Sequence, residues 1–190
     1  MKDKDVPVFI EGKTISFAVQ NSEQIDLYAK WINDPKVRVF ARFEMPIRLE
    51  DIKKWFEPRK GRVHNFVVFD IWHNKDNKPI GQCGLAMIDW VSGWANAFLI
   101  IGEPEYWGQN IATEATEILV EYAFNELNLH KLQGGAAIEN VGSWSVAEKV
   151  GFKFNGIRKD EMYVDGKYVD AKIFRLSKED WIKSRELKNK

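Results

Sequence analysis

Residues 107–152 constrain the fold of this chain more than any other stretch. An apolar run at 97–101 reads as a buried strand. It leads into Trp107-Gly108-Gln109-Asn110, a loop. Beyond the loop, Ile111, Ala115, Ile118, Leu119 and Tyr122 recur at helical spacing. The start of such a helix has unpaired N–H groups and the positive end of its dipole, which together form an anion site. Gly108 lets a ligand come close to the backbone, and Asn110 is one of the few non-glycine residues that tolerates a left-handed conformation. The loop suits a pyrophosphate, although ordinary helices also start after Gly or Asn. Further on, Asn140-Val141-Gly142-Ser143 opens a short helix and Glu148-Lys149-Val150-Gly151-Phe152 closes it, with Gly151 where a C-cap belongs.

The rest of the chain fits around this segment. Residues 8–19 read as a strand with a turn at Glu11-Gly12-Lys13. Asn21-Ser22 starts a helix, with Gln24 placed for a capping box, and Asp34-Pro35 stops it. A second short helix spans 47–56. Strands are expected at 66–72, 79–88, 94–101 and 131–138, with a long helix at 111–127 between the last two. Residues 152–164 and 168–176 pair across Asp165-Gly166, a strong hairpin signal, and Ser177-x-x-Asp180 starts a last helix. This is an α+β layout on one domain, residues 1–190, with a mixed, mostly antiparallel sheet of about seven strands flanked by helices.

Composition excludes some function classes. Lys plus Arg equals Asp plus Glu at 28 each, so global charge supplies no argument for nucleic acid or an anionic membrane. Cys83 is the only cysteine, which rules out an intrachain disulfide and fits a reducing compartment. No apolar run approaches the roughly 18 residues of a membrane span. The N-terminal Met1-Lys2-Asp3-Lys4-Asp5 has no apolar signal core behind it. A soluble cytoplasmic protein, monomeric or homodimeric, is expected. His64, His73 and His130 are scattered without metal-ligand spacing, so no metal is expected.

Tyr-Trp-Gly-x-Asn-Ile-Ala-Thr-Glu-Ala from Tyr106 and Asn-x-x-Ser-x-x-x-Ala-Glu-Lys-x-Gly-Phe from Asn140 resemble the acyl-CoA-binding core of the GNAT superfamily of N-acetyltransferases. They are most similar to its Rim-type branch, which contains the ribosomal-protein N-terminal acetyltransferases. The element order resembles that fold from end to end. The resemblance implies a sheet splayed at the acyl-CoA site. It implies that backbone groups at Leu99, Ile100 and Ile101 bond the pantetheine and polarise the carbonyl. It also implies that Trp107, Gly108, Gln109, Asn110, Ile111, Ala112 and Thr113 hold the pyrophosphate, and that Asn140 bonds the pantetheine or simply ends its strand. The superfamily pattern Gln/Arg-x-x-Gly-x-Gly/Ala is altered here, with Trp107 first and Asn110 for the central glycine.

Many superfamily members carry a tyrosine four residues before Gly-Phe, as the acid for the leaving thiolate; this chain has Ala147. In the Rim-type branch a serine at the position of Ser143 is proposed for that role, and Ser143 is equally readable as a cap-like hydroxyl. Relatives often carry a base where this chain has Asn96. Glu161 is the first alternative base and Asp89 the second; each also reads as a solvated carboxylate. Glu114 reads as a first-turn dipole partner. Cys83 reads as a buried thiol rather than an acetyl relay. Trp31, Phe40, Phe43, Trp55 and Phe56 either line an acceptor groove or pack helices onto the sheet. The expected function is transfer of acetyl from acetyl-CoA to a primary amine, foremost a protein N-terminal α-amine. The alternatives are a small-molecule amine, such as a polyamine or antibiotic, or a non-catalytic acyl-CoA-binding module.

Overall fold

The computed structural model describes residues 7–41, 45–57 and 64–188; the N-terminal run at 1–5 and Phe43 fall outside them. The described elements are, in chain order, β1 (Val8–Ile10), β2 (Ile15–Val19), α1 (Ile25–Asn33), α2 (Pro35–Ala41), α3 (Leu49–Lys53), β3 (Val67–His73), β4 (Lys78–Asp89), β5 (Trp94–Ile101), α4 (Ile111–Asn125), β6 (Lys131–Ala137), α5 (Val141–Val150), β7 (Lys153–Val164), β8 (Lys167–Ser177) and α6 (Lys178–Lys188). The strands follow the order β1-β2-β3-β4-β5-β6-β8-β7, eight where about seven were expected. The extra strand arises because the turn after Ile10 divides residues 8–19 into two strands that pair antiparallel, Val8 with Ala18 and Ile10 with Phe17.

The chain folds as two compact units. The first comprises Met1–Val63, Val68–Cys83 and Leu99–Ala115. Its β2 and β3 pair antiparallel from Ile15–His73 to Val19–Phe69, and Phe69 stacks on both Phe9 and Phe17 with centroids 5.3 Å apart. Helix α1 puts Tyr28, Trp31 and Ile32 on one stripe, as i, i+3, i+4 spacing dictates, and packs them with Ile52 of α3. The Asn21 side chain accepts the Glu23 N–H at the helix entrance. Asp34-Pro35 does stop α1, but it also starts α2. Pro35 forces Asp34 to an extended conformation (ψ 121°) and then occupies the first helical position, where its missing N–H costs nothing.

The second unit comprises His64–Val67, Gly84–Phe98 and Thr116–Lys190. Its β6 and β8 pair antiparallel from Lys131–Ser177 to Ala137–Ala171, and β8 pairs with β7 across Asp165-Gly166. Both turn residues take positive φ, 47° and 82°, as a type I′ hairpin requires. Strand β7 bulges between Arg158 and Met162, where Asp160 has φ 50°. Strands β5 and β6 are parallel, pairing Trp94–Lys131, Ala95–Leu132 and Asn96–Gln133. Among the described residues of this unit the pairing goes no further, although β6 continues to Ala137 and stays bonded to β8 on its other side. Helix α5 ends in a Schellman motif. Gly151 (φ 105°) donates to Glu148 and Phe152 donates to Ala147. No helix among the described residues is long and apolar enough to cross a membrane.

Candidate active site

The first unit contains the end of β5, the loop after it and the first turn of α4. Gly102 and Glu103 both donate their N–H to the Ile80 carbonyl, at 2.9 and 3.2 Å, which carries the chain out of β5. The Ile101 carbonyl accepts the indole N–H of Trp107 at 2.9 Å. Gly108 and Asn110 both take positive φ, 74° and 64°, so the two residues singled out for that freedom use it. The Asn110 carbonyl accepts the Thr113 and Glu114 N–H groups and so opens α4. Among the described residues, the N–H groups of Gly108, Gln109, Asn110 and Ile111 find no acceptor. A Cβ on Gly108 would meet nothing within 4 Å, so the glycine borders open space. Orphan donors in a row at the positive end of a 15-residue helix fit the pyrophosphate of a nucleotide cofactor. The stretch 102–113 has no Lys or Arg, so this cradle is made of backbone.

Side chains brace the cradle. The Gln109 amide turns back onto the Glu105 carbonyl at 2.6 Å. Glu114 does more than complement the dipole, since its carboxylate accepts the Thr14 N–H at 2.7 Å and ties α4 to the start of β2. The Tyr106 hydroxyl donates to Asp76 at 2.6 Å, and the His73 Nδ1 lies 2.9 Å from the same carboxylate. The phenol bond holds the Asp76 carboxyl below the usual carboxylate range.

Glu103 and Lys30 were not singled out from the sequence, and Trp31 was read there only as groove lining or as packing of helices onto the sheet. Glu103 is 7% exposed, accepts the Trp31 indole N–H at 2.8 Å and meets the Lys30 ammonium at 2.7 Å. Despite burial, these two donors hold its carboxyl below its ordinary value. A Cβ at Gly102 would fall 2.3 Å from Trp31 ring atoms, so only glycine admits the indole there. The partners are 72 residues apart, and no local pattern announces them.

The second unit contains the remaining predicted residues. The Asn140 side chain accepts the Ser143 N–H at 3.2 Å, so the cap of α5 is Asn140. That leaves the Ser143 hydroxyl exposed and, among the described residues, without a partner. Next to it, the Trp144 indole donates to the Ile138 carbonyl and lies under the Lys172 ammonium, 3.6 Å from the ring centroid. Asn96 directs its amide at the Met87 sulfur, 3.1 Å away, and Met87 itself has φ 53°. Asp89 accepts the Val91 and Ser92 N–H groups at 3.0 and 2.8 Å. The Ser92 bond, first among several, holds its carboxyl below the ordinary range. Asp89 therefore anchors the β4–β5 turn and is a weak base. Glu161 pairs with Arg158 at 3.1 Å. Ala147 spends its carbonyl in the helix cap.

Several other residues have packing roles. Cys83 is fully buried, and burial pushes its thiol well above the ordinary value, away from a reactive thiolate. Trp31 is buried and Phe56 packs against the α1 core, 6.3 Å from Tyr28, whereas Phe40 and Trp55 remain exposed. Among the described residues no His, Cys, Asp and Glu group could hold a metal.

The model of the acetyltransferase (GNAT) domain matches residues 18–153. YdaF of Bacillus subtilis (strain 168), provisionally named a ribosomal N-acetyltransferase, is 34% identical over 106 residues, 56% of this chain and 57% of that one. The spermidine N(1)-acetyltransferase of Escherichia coli (strain K12) is 34% identical over 96 residues, 50% of this chain and 51% of that one. The chain spans between 51% and 63% of the length of these and two further Bacillus relatives. In fold it matches the spermidine N-acetyltransferase of Vibrio cholerae solved with CoA and spermine, at TM-score 0.80 and 21% identity, over 90% of this chain and 99% of that one. A domain match over most of the chain and the same fold, together with a backbone anion cradle between β5 and α4, lead to one assignment: the chain belongs to the GNAT family of acetyltransferases.

Proposed function

We propose that this protein is an acetyl-CoA-dependent N-acetyltransferase that acts by direct transfer on the α-amine of a polypeptide. The observation that carries the donor half is the run of unpartnered N–H groups at Gly108, Gln109, Asn110 and Ile111. These donors and the α4 dipole would take the pyrophosphate, and backbone at Leu99, Ile100 and Ile101 would take the pantetheine. The bound donor supplies an activated acyl thioester. The amine nitrogen attacks its carbonyl carbon, the C–S bond breaks, and the displaced amine proton goes to water. The departing sulfur takes a proton from a general acid, which regains one from solvent; the resemblance to the Rim-type branch gives that role to Ser143.

The acceptor half rests on the poverty of bases. Asn96 cannot take a proton, Asp89 is committed to a turn, and Glu161 is paired with Arg158. An α-amine has a pKa of about 7.8, against about 10.4 for a lysine side chain, so at pH 7 roughly a tenth of the α-amine is already neutral against well under ~0.1% of the other. With none of these three candidates a strong base, the α-amine is the better suited acceptor. The polyamine reading draws on the spermidine-acetylating relatives. One assay separates them. The protein is given a short peptide beginning with Ser or Ala, the same peptide N-terminally blocked and carrying lysine, and spermidine, and mass spectrometry locates the label. Faster labelling of the free α-amine is expected, with a rate that rises with pH and levels off near that amine's pKa. Faster labelling of spermidine or of the lysine overturns the acceptor. No labelling of any amine, with CoA still bound, makes the protein a binding module.

A further inference from the structure

Both ends of the loop that carries the unpartnered N–H groups are tied to one place in the first unit. At the leading end, Tyr106 closes a short helical turn, Pro104–Tyr106, just before Trp107 and Gly108. Its ring is buried, with the His73 ring 4.9 Å away and the Lys78 ammonium 5.0 Å over its face. Its hydroxyl donates to Asp76 at 2.6 Å. Asp76 is itself held, since its N–H donates to His73 Nδ1 at 3.3 Å. At the trailing end, Glu114 accepts the Thr14 N–H at 2.7 Å. The two tethers meet. The Thr14 carbonyl accepts the Asn74 N–H at 3.0 Å, and Asn74 lies in the same β3–β4 turn as Asp76. The Asn74 side chain fixes that turn again, donating to the Gly12 carbonyl at 3.0 Å and accepting the Ser16 hydroxyl at 2.9 Å. Contacts therefore run in a ring from Tyr106 through Asp76, Asn74 and Thr14 to Glu114, and residues 107–113 close it. A slack loop would have to be ordered by its ligand, at an entropic cost to affinity; a loop closed in such a ring is ordered by the fold.

We infer that Tyr106 and Asp76 are positioning residues for the acyl donor: their bond presets the 107–113 loop for a diphosphate and so sets the affinity for the nucleotide half of CoA, not the chemistry of transfer. This rests on the donor half of the proposed function and is independent of which amine is acetylated. The test measures binding of CoA, and of its phosphoadenosine diphosphate half alone, to the whole protein by titration calorimetry. Tyr106→Phe keeps the ring and removes only the hydroxyl. It should weaken both ligands by the same factor, at least about fivefold, as the loss of one hydrogen bond to a charged group predicts. Asp76→Asn keeps an oxygen for the phenol and should weaken both less than Asp76→Ala does. Tyr28→Phe removes a hydroxyl bonded to Asp70 at 2.7 Å elsewhere in the unit, and should leave both affinities within about twofold of the parent. In turnover, Tyr106→Phe should raise the KM for acetyl-CoA and leave kcat within about twofold. Unchanged affinities in Tyr106→Phe, weaker binding of CoA but not of its nucleotide half, or equal weakening by Tyr28→Phe overturns the inference, and the donor reading stands because the parent binds both ligands. A parent protein that binds neither CoA nor the nucleotide half overturns the donor reading and this inference with it.

Discussion

At Ser143 the backbone and the side chain have separate duties. The N–H is held by Asn140, while the hydroxyl is exposed and, among the described residues, bonds to nothing. A cap would show the opposite arrangement, with its oxygen accepting from the helix start. Removing the hydroxyl should therefore leave stability nearly untouched and act on the chemistry. General acid catalysis contributes typically about 10²–10⁴-fold. Ser143→Ala should lower kcat by at least about tenfold and change the KM for acetyl-CoA little, since the hydroxyl acts mainly in the transition state. Steady-state kinetics beside a melting curve decide the matter. A fall of less than about threefold together with a lower melting temperature would return Ser143 to a structural role.

Between elements, a buried carboxyl joins a strand to a helix. Asp70 of β3 is 1% exposed. It accepts the Tyr28 hydroxyl of α1 at 2.7 Å and the Gln82 amide of β4 at 3.1 Å. Desolvation dominates over both bonds and raises its pKa from 3.8 to about 6. A raised folded-state pKa means the native state holds the proton more tightly than the unfolded chain. The resulting stability is full below pH about 4 and is lost as pH rises to about 6, a loss of ~2–3 kcal/mol. Asp70→Asn keeps an acceptor for Tyr28 and removes the charge. Its stability relative to the parent should climb across that window and stay level above it. Denaturant unfolding of both proteins at pH 4, 5, 6 and 7 measures the difference and cancels the other carboxylates. A constant difference would show that Asp70 does not titrate there. Elements with local punctuation were legible in the sequence. Gly151 ends α5, Asp165-Gly166 sets the β7–β8 turn, and Ser177 caps α6 by accepting the Asp180 N–H at 3.1 Å, whereas the cap of α5, expected at Ser143 if anywhere, is Asn140. Helix α2 was missed because a proline that ends one helix can start another with the same φ. The Asp70 and Glu103 networks were missed because their partners lie 42 and 72 residues away.

Across the whole molecule, net neutrality hides an uneven distribution of charge along the sequence. The chain is neutral overall, yet residues 35–63 hold a cationic excess and residues 102–113 have no Lys or Arg. The backbone of the 108–113 loop was legible because its requirements are local: a glycine and an asparagine with left-handed φ and a helix start. The Lys30–Glu103–Trp31 network was not, because its partners are set by tertiary packing. The central claim is that backbone N–H groups at Gly108, Gln109, Asn110 and Ile111 bind the donor, and thermal melting with and without acetyl-CoA tests it most directly. At a hundredfold excess over Kd, binding adds about 2.7 kcal/mol, which raises Tm by about 5–10 °C for a chain of this size. Gly108→Val puts a β-branched side chain at φ 74° in the open space beside those donors, so its melting temperature should fall modestly without ligand and not respond to acetyl-CoA. A parent protein that does not respond to millimolar acetyl-CoA, or a Gly108→Val variant that responds as fully as the parent, would contradict the account.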